Sequence, residues 1–208
     1  MCGRYSVQKK TSLIANSLVK KNINVDLEQD YFNCSPGGKY PCIKSATNGK
    51  YLEMTIFGIF PSWAKPDFKR LHNARLEGIE NKVSFKKLIV SSRAIIPITG
   101  FFEWAKENEK KTPYYFTRTD DQDIFLAGIH ENGQFTIITR EATEQNSKIH
   151  RRQPVIISKS QINNYFNLNN NAVEFLNSVK PPVLKFHEVS TKVNNPSLND
   201  ATLINPKN

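Results

Sequence analysis

At 208 residues the chain is long enough to bury a sizeable core as one domain, and its 29 Lys and Arg against 19 Asp and Glu leave a net charge of +10. That excess favours a polyanionic partner, because each phosphate neutralised by Lys or Arg releases condensed counterions; a merely solubilising basic surface would have the same composition. No run approaches the roughly 18 apolar residues that cross a bilayer and the N-terminus has no apolar leader core, so a cytoplasmic protein is expected.

In chain order, Thr11 to Lys21 carries Leu13, Ile14, Leu18 and Val19 at helical spacing, and Asn33-Cys34-Ser35-Pro36-Gly37-Gly38 is a cluster of turn formers. Tyr51 to Phe60 is dense in β-branched and aromatic residues and predicts a strand. A helical pattern at Val83 to Val90 precedes predicted strands at Arg93 to Ile98, Tyr114 to Thr119, Ile124 to Ile129, Phe135 to Thr139 and Val155 to Ser158. Helical patterns return at Lys159 to Phe166 and Ala172 to Ser178. Many short strands with interspersed helices predict a single α+β domain over 1–208, built on a strongly curved, mostly antiparallel sheet with a barrel-like core.

The three cysteines, Cys2, Cys34 and Cys42, are an odd number in a long chain, which argues against a disulfide framework. Cys34 and Cys42 have no close His partner, so zinc spacing is absent and both read as core thiols. No metal or cofactor is called for.

Cys2 is different because it follows Met1. Trimming of Met1 before a small residue would expose a 1,2-aminothiol. An α-amine has an ordinary pKa of about 7.7–8.0 against about 10.4 for lysine, so roughly 300 times more of it is neutral and nucleophilic at neutral pH. Such an amine attacks an aldehyde, and the adjacent thiol then closes a five-membered thiazolidine. A Met-Cys start alone is common; it gains weight in this chain from four motifs downstream.

Those motifs are Phe57-Gly58-Ile59-Phe60-Pro61-Ser62-Trp63-Ala64, His72-Asn73-Ala74-Arg75, Gly100-Phe101-Phe102-Glu103-Trp104 and His150-Arg151-Arg152-Gln153-Pro154. With Met1-Cys2-Gly3-Arg4-Tyr5 this ordered series resembles the SRAP family, the SOS-response-associated peptidases understood as abasic-site processing proteins. The resemblance runs from Cys2 to Val193-Asn194-Asn195 and implies a curled β-sheet core, a basic DNA channel and an active site around the N-terminal cysteine. It places the nucleophile on Cys2, an orienting amide on Asn73, an acid/base carboxyl on Glu103 and a histidine on His150. Each role is chemically apt: a carboxyl among Phe101, Phe102 and Trp104 is poised for a raised pKa, and a histidine shuttles protons near neutrality.

For DNA the resemblance implies Arg4, Arg75 and Arg152 as phosphate ligands, and Pro36 as a wedge beside the lesion. Trp63 offers a stacking face, or else is a core aromatic. The sequence departs from the family pattern at Phe57, at Ser35-Pro36 and at Arg151, and in the length from Trp63 to Asn73. The expected activity is covalent capture of abasic sites in single-stranded DNA or at a single-strand/duplex junction, with accompanying lyase chemistry and self-reversal. An N-terminal-cysteine peptidase and a non-catalytic reader of damaged or modified DNA are the alternatives.

Overall fold

The computed structural model describes residues 2–23, 25, 29–107 and 110–207. Its strands run, in chain order, β1 (Arg4–Val7), β2 (Lys21–Ile23), β3 (Tyr31–Cys34), β4 (Lys39–Ala46), β5 (Gly49–Phe57), β6 (Asn73–Arg75) and β7 (Arg93–Ile98). They continue as β8 (Gly100–Glu107), β9 (Lys110–Arg118), β10 (Ile124–Glu131), β11 (Gln134–Glu141), β12 (Arg152–Pro154), β13 (Ile156–Ile157) and β14 (Leu184–Glu188). The helices are α1 (Lys9–Asn16), α2 (Leu88–Ser91), α3 (Glu144–Ser147), α4 (Ile162–Phe166) and α5 (Ala172–Ser178). None of the described helices is long and apolar enough to cross a membrane.

The strands form two sheets in a mixed α+β fold. The smaller has the order β14-β9-β8-β1-β3 and is antiparallel throughout. The larger runs β12-β11-β10-β7-β4-β5-β2. Within it β5 also pairs in parallel with β11, through Gln134↔Ile56 and Phe135↔Phe57. The path β11-β10-β7-β4-β5 therefore returns on itself, and the expected curled sheet is a closed ring of strands, which removes exposed edges.

Side-chain alternation sorts the strand residues into layers. Ala94, Ile96 and Ile98 of β7 face a core shared with Tyr5, Val7, Phe101 and Phe116 of the smaller sheet. Ile95 faces the opposite way and packs with Phe85, Leu88, Ile89, Tyr165 and Leu176 from the helical side. A third cluster, Phe102, Tyr115, Val189, Val193 and Leu203, lies where the C-terminal segment covers the outer face of the smaller sheet.

Three local expectations change. The helix predicted from Thr11 begins at Lys9 and stops at Asn16, because the Lys20 amide donates to the Lys50 carbonyl (2.9 Å) and the chain continues as β2. The helix predicted over 83–90 is reduced to α2: Val83 is 73% exposed, and only Phe85, Leu88 and Ile89 reach the core. The strand predicted over Val155 to Ser158 is reduced to β13, because the Val155 backbone bridges β10 and β11 between it and β12. The strand predicted over 51–60 is present as β5 with shifted ends, that over 93–98 is β7 with the expected bounds, and 159–166 is a 3₁₀ turn running into α4.

Candidate active site

Cys2 precedes β1 and is fully buried in the core between the sheets. The register Arg4↔Phe102 sets this end of β1 beside β8, which brings Glu103 into electrostatic reach of the thiol. Burial first, and then the negative field of Glu103, push the Cys2 thiol well above its ordinary range. Glu103 is itself 2% exposed, and burial pushes its carboxyl up to about 7.

His150 sits between α3 and β12. Its loop is held by the amide of His150 donating to the Asn146 carbonyl (3.1 Å), with Gln153 Oε1 accepting from Asn146 Nδ2 (2.6 Å) and from the Thr143 amide (3.1 Å). His150 Nδ1 lies 3.0 Å from the Arg152 amide and 3.2 Å from the Arg152 carbonyl, so the backbone of Arg152 orients the ring. Burial lowers its pKa, and the neighbouring Arg151 and Arg152 add to the effect, so the ring is neutral at pH 7. Glu103 and His150 line one cavity of about 550 Å³, together with Trp104, Lys106, Lys111 and Asn194.

Asn73 opens β6, which lies parallel to β11 with Ile137↔Asn73 and Ile138↔Ala74 in register. Ile137 faces the core that holds Cys2, whereas Ile138 and Ala74 face the helical layer. Residues paired in register share a face, so Asn73 is directed toward the Cys2 layer. Both atoms of its side-chain amide are buried and without a hydrogen-bond partner among the described residues. A buried amide left open in this way is costly unless a ligand completes it.

The arginines separate into two kinds. Arg75 is exposed and lines a depression of about 320 Å³ with Glu141, Ser147, Arg151 and Arg152. Arg152 is 8% exposed, and its guanidinium is held by Glu77 through Nη1–Oε1 (2.9 Å) and Nη2–Oε2 (2.7 Å) and by the Thr139 carbonyl (2.7 Å). Arg4 donates to Asn33 Oδ1 (2.7 Å) and the Val193 carbonyl (2.6 Å), tying β1 to the C-terminal segment.

Trp63 is 56% exposed on the segment between β5 and β6, with Phe68 packed edge-on at 5.2 Å. Pro36 is exposed in the turn between β3 and β4, where Gly37 has φ 96°, a value favouring glycine. That turn is fastened to the end of β5: the Gly37 amide donates to the Phe57 carbonyl and the Phe57 amide to the Gly38 carbonyl, both at 2.8 Å. The Pro36 turn and the Trp63 segment thus leave the ring at one corner, at Phe57.

Glu103 thus links Cys2, within its electrostatic reach, to His150, which shares its cavity, while Asn73 is directed toward the layer that holds Cys2. Arg75 and Arg152 share a neighbouring depression, and Trp63 and Pro36 occupy a separate corner. The motifs give Trp104 only as a flank of Glu103 and Asn194 only as part of the closing segment, and they do not mark Lys106 and Lys111 at the cavity, Glu77 as the partner of Arg152, or Asn33. Asn33 Nδ2 donates to the carbonyls of Asn195 (2.9 Å) and Leu198 (3.0 Å), so this residue, read as part of a turn, joins β3 to the C-terminal segment. Alternation along β8 from Trp104 would have pointed to Lys106; nothing local marks Asn33 or Glu77.

A family model described as SOS response associated peptidase (SRAP) matches residues 1–196. The chain is 32% identical to the abasic site processing protein YedK of Escherichia coli, with 99% of this chain and 100% of that protein covered. It is 28% identical to the abasic site processing protein YoaM of Bacillus subtilis, with 100% and 99% covered. A crystal structure of a Bacteroides thetaiotaomicron protein superposes with a TM-score of 0.83 at 23% identity, covering 99% of this chain and all of that one, and so shares its fold.

Proposed function

The chain belongs to the SRAP family, and on that premise we propose that it processes abasic sites in DNA by capturing their aldehyde covalently through Cys2. The observation carrying this reading is the placement of Cys2 against Glu103, a carboxyl held at about 7, with the open amide of Asn73 directed into the same layer.

Met1, which lies outside the described residues, must be removed to free the Cys2 amine. Protonated Glu103 assists opening of the closed sugar to its aldehyde. The Cys2 nitrogen then bonds to the sugar's first carbon and gives a carbinolamine. Glu103 protonates the departing hydroxyl, water leaves, and an imine forms. The Cys2 sulfur adds to the imine carbon while its proton passes to nitrogen, closing a thiazolidine with net release of one water. Burial keeps the thiol protonated, and the imine nitrogen is the base that takes its proton and frees the sulfur to attack; a peptidase would need another base for the same thiol.

Asn73 supplies a donor and an acceptor to the sugar hydroxyls or the amine without changing charge. His150, at the cavity wall, serves a sugar or phosphate oxygen. The imine also acidifies the neighbouring sugar hydrogen, which opens a route to loss of the 3′ phosphate, and hydrolysis of the ring is the route to self-reversal. Single-stranded DNA or a junction is the preferred partner, because a sugar reaching a fully buried Cys2 must leave the stack. Arg75, Arg152 and Arg4 border the path of the strand, with Trp63 and the Pro36 turn at its far corner.

The test is incubation with an abasic oligonucleotide followed by denaturing electrophoresis. Protein shown by mass spectrometry to begin at Cys2 should give a heat-stable shifted band, and Cys2→Ala should give none. A wild-type yield from Cys2→Ala, or full reaction by protein retaining Met1, would overturn the assignment.

A further inference from the structure

Beyond Glu103, the β8–β9 pair carries a group of side chains that the proposed chemistry does not use. Lys106 and Lys111 are direct Cα partners across these antiparallel strands. Like charges at such positions repel, and neither lysine has an ion-pair partner among the described residues. Trp104 lies two residues before Lys106 and so on the same face of the strand. Its ring is half-buried against the cluster around Phe102 and Val193, and its Nε1 donates to Asn194 Oδ1 at 2.9 Å, which fixes the plane of the indole. All four residues line the 550 Å³ cavity whose wall includes Glu103 and His150.

We propose that this cavity is a subsite for the nucleotide adjoining the lesion, with its base stacked on Trp104 and its phosphate between Lys106 and Lys111. The inference rests on the abasic-site reading above and adds a determinant to it. A flat aromatic face flanked by paired cations answers the two constant features of a nucleotide, a π-face and a phosphate, and does so without selecting a base. The volume falls within the range usual for small-ligand sites. The shared wall with Glu103 identifies the occupant as a neighbour of the reacting sugar on the same strand. The lysine pair then resolves its own repulsion by holding one anion.

Two measurements test this. The first uses a single-stranded oligonucleotide with a central tetrahydrofuran, which binds but cannot crosslink. The Lys106→Ala/Lys111→Ala variant should lose roughly 0.7 from the slope of log affinity against log salt, the share of the one phosphate the pair holds, and Lys106→Arg/Lys111→Arg should retain it. The second uses abasic oligonucleotides in which the base on the 5′ or the 3′ side of the lesion is absent. On one side, its removal should raise the protein concentration for half-maximal crosslinking roughly fivefold or more, as expected for one stacked base. Trp104→Ala should abolish that dependence while Trp104→Phe keeps most of it, which separates lost stacking from lost folding. An unchanged salt slope, or indifference of the wild type to both neighbouring bases, overturns the subsite. A wild type that forms no covalent band defeats the Cys2 reading instead, and the salt slope still decides the subsite.

Discussion

Replacing Glu103 by Gln tests the acid role through stability as well as rate. A carboxyl moved by burial from 4.5 to about 7 holds its proton more tightly in the folded chain than in the unfolded one. At about 1.36 kcal/mol per tenfold change in acidity, the difference amounts to about 3 kcal/mol. Between 4.5 and 7 the folded state binds more protons than the unfolded state, so this stability is fully present below 4.5 and is lost as pH rises through 7. Gln has nearly the same shape and nothing to ionise. Urea unfolding of both proteins across a pH series spanning 4.5 to 7 should show the wild type losing about 3 kcal/mol relative to Glu103→Gln. Single-turnover crosslinking by the variant should slow by roughly 10²- to 10⁴-fold with little change in DNA binding, and should lose the limb that falls above pH 7 in the wild type. Parallel stability curves would mean that Glu103 titrates at its ordinary value. Equal losses of binding and rate would make it a positioning residue.

The two kinds of arginine should respond differently. Arg152→Ala removes a buried guanidinium bound to Glu77 and to the Thr139 carbonyl and should cost about 2 kcal/mol in urea unfolding, whereas exposed Arg75→Ala should leave stability unchanged and reduce the salt slope of DNA binding by about 0.7. Equal stabilities for the two variants would contradict the observed pairing. Asn33→Ala leaves the carbonyls of Asn195 and Leu198 without their Asn33 donor and Arg4 without one of its acceptors, at a cost of about 2–4 kcal/mol. Limited proteolysis should then cut within 190–207 well before the rest of the chain; protection equal to wild type would show that the apolar cluster around Val193 holds the segment unaided.

The parts of this molecule that were legible in its sequence are those whose cause is local. Short runs dense in apolar and β-branched residues announced β7, β10 and β11, and the chemistry of a 1,2-aminothiol announced Cys2. β4 stayed hidden because Pro41 and Cys42 interrupt its pattern. Pro41 is tolerated there because β7 joins β4 only at Ile43 and Lys44, so no ladder bond is needed at the proline on that side. Closure of the ring through β5 and β11 depends on register between segments far apart in the chain, which no short window contains.

The same limit governs the arginines. Arg4, Arg75 and Arg152 look alike as letters, yet Arg152 reaches Glu77, 75 residues away, and Arg4 reaches Val193, 189 residues away. Structure turns two of these three cations into braces. Arg152 holds β12 against β11 with its side chain and fixes the Nδ1 of His150 with its own amide, while Arg4 anchors the strand that begins just after Cys2. A guanidinium with its donors engaged on carboxylate and carbonyl oxygens still contributes its charge to the field around the site, but it reaches a phosphate only by giving up those bonds. Specific grip on the strand must then come from cations whose donors remain available. Among the described residues at the two depressions, those are Arg75, Arg151, Lys106 and Lys111.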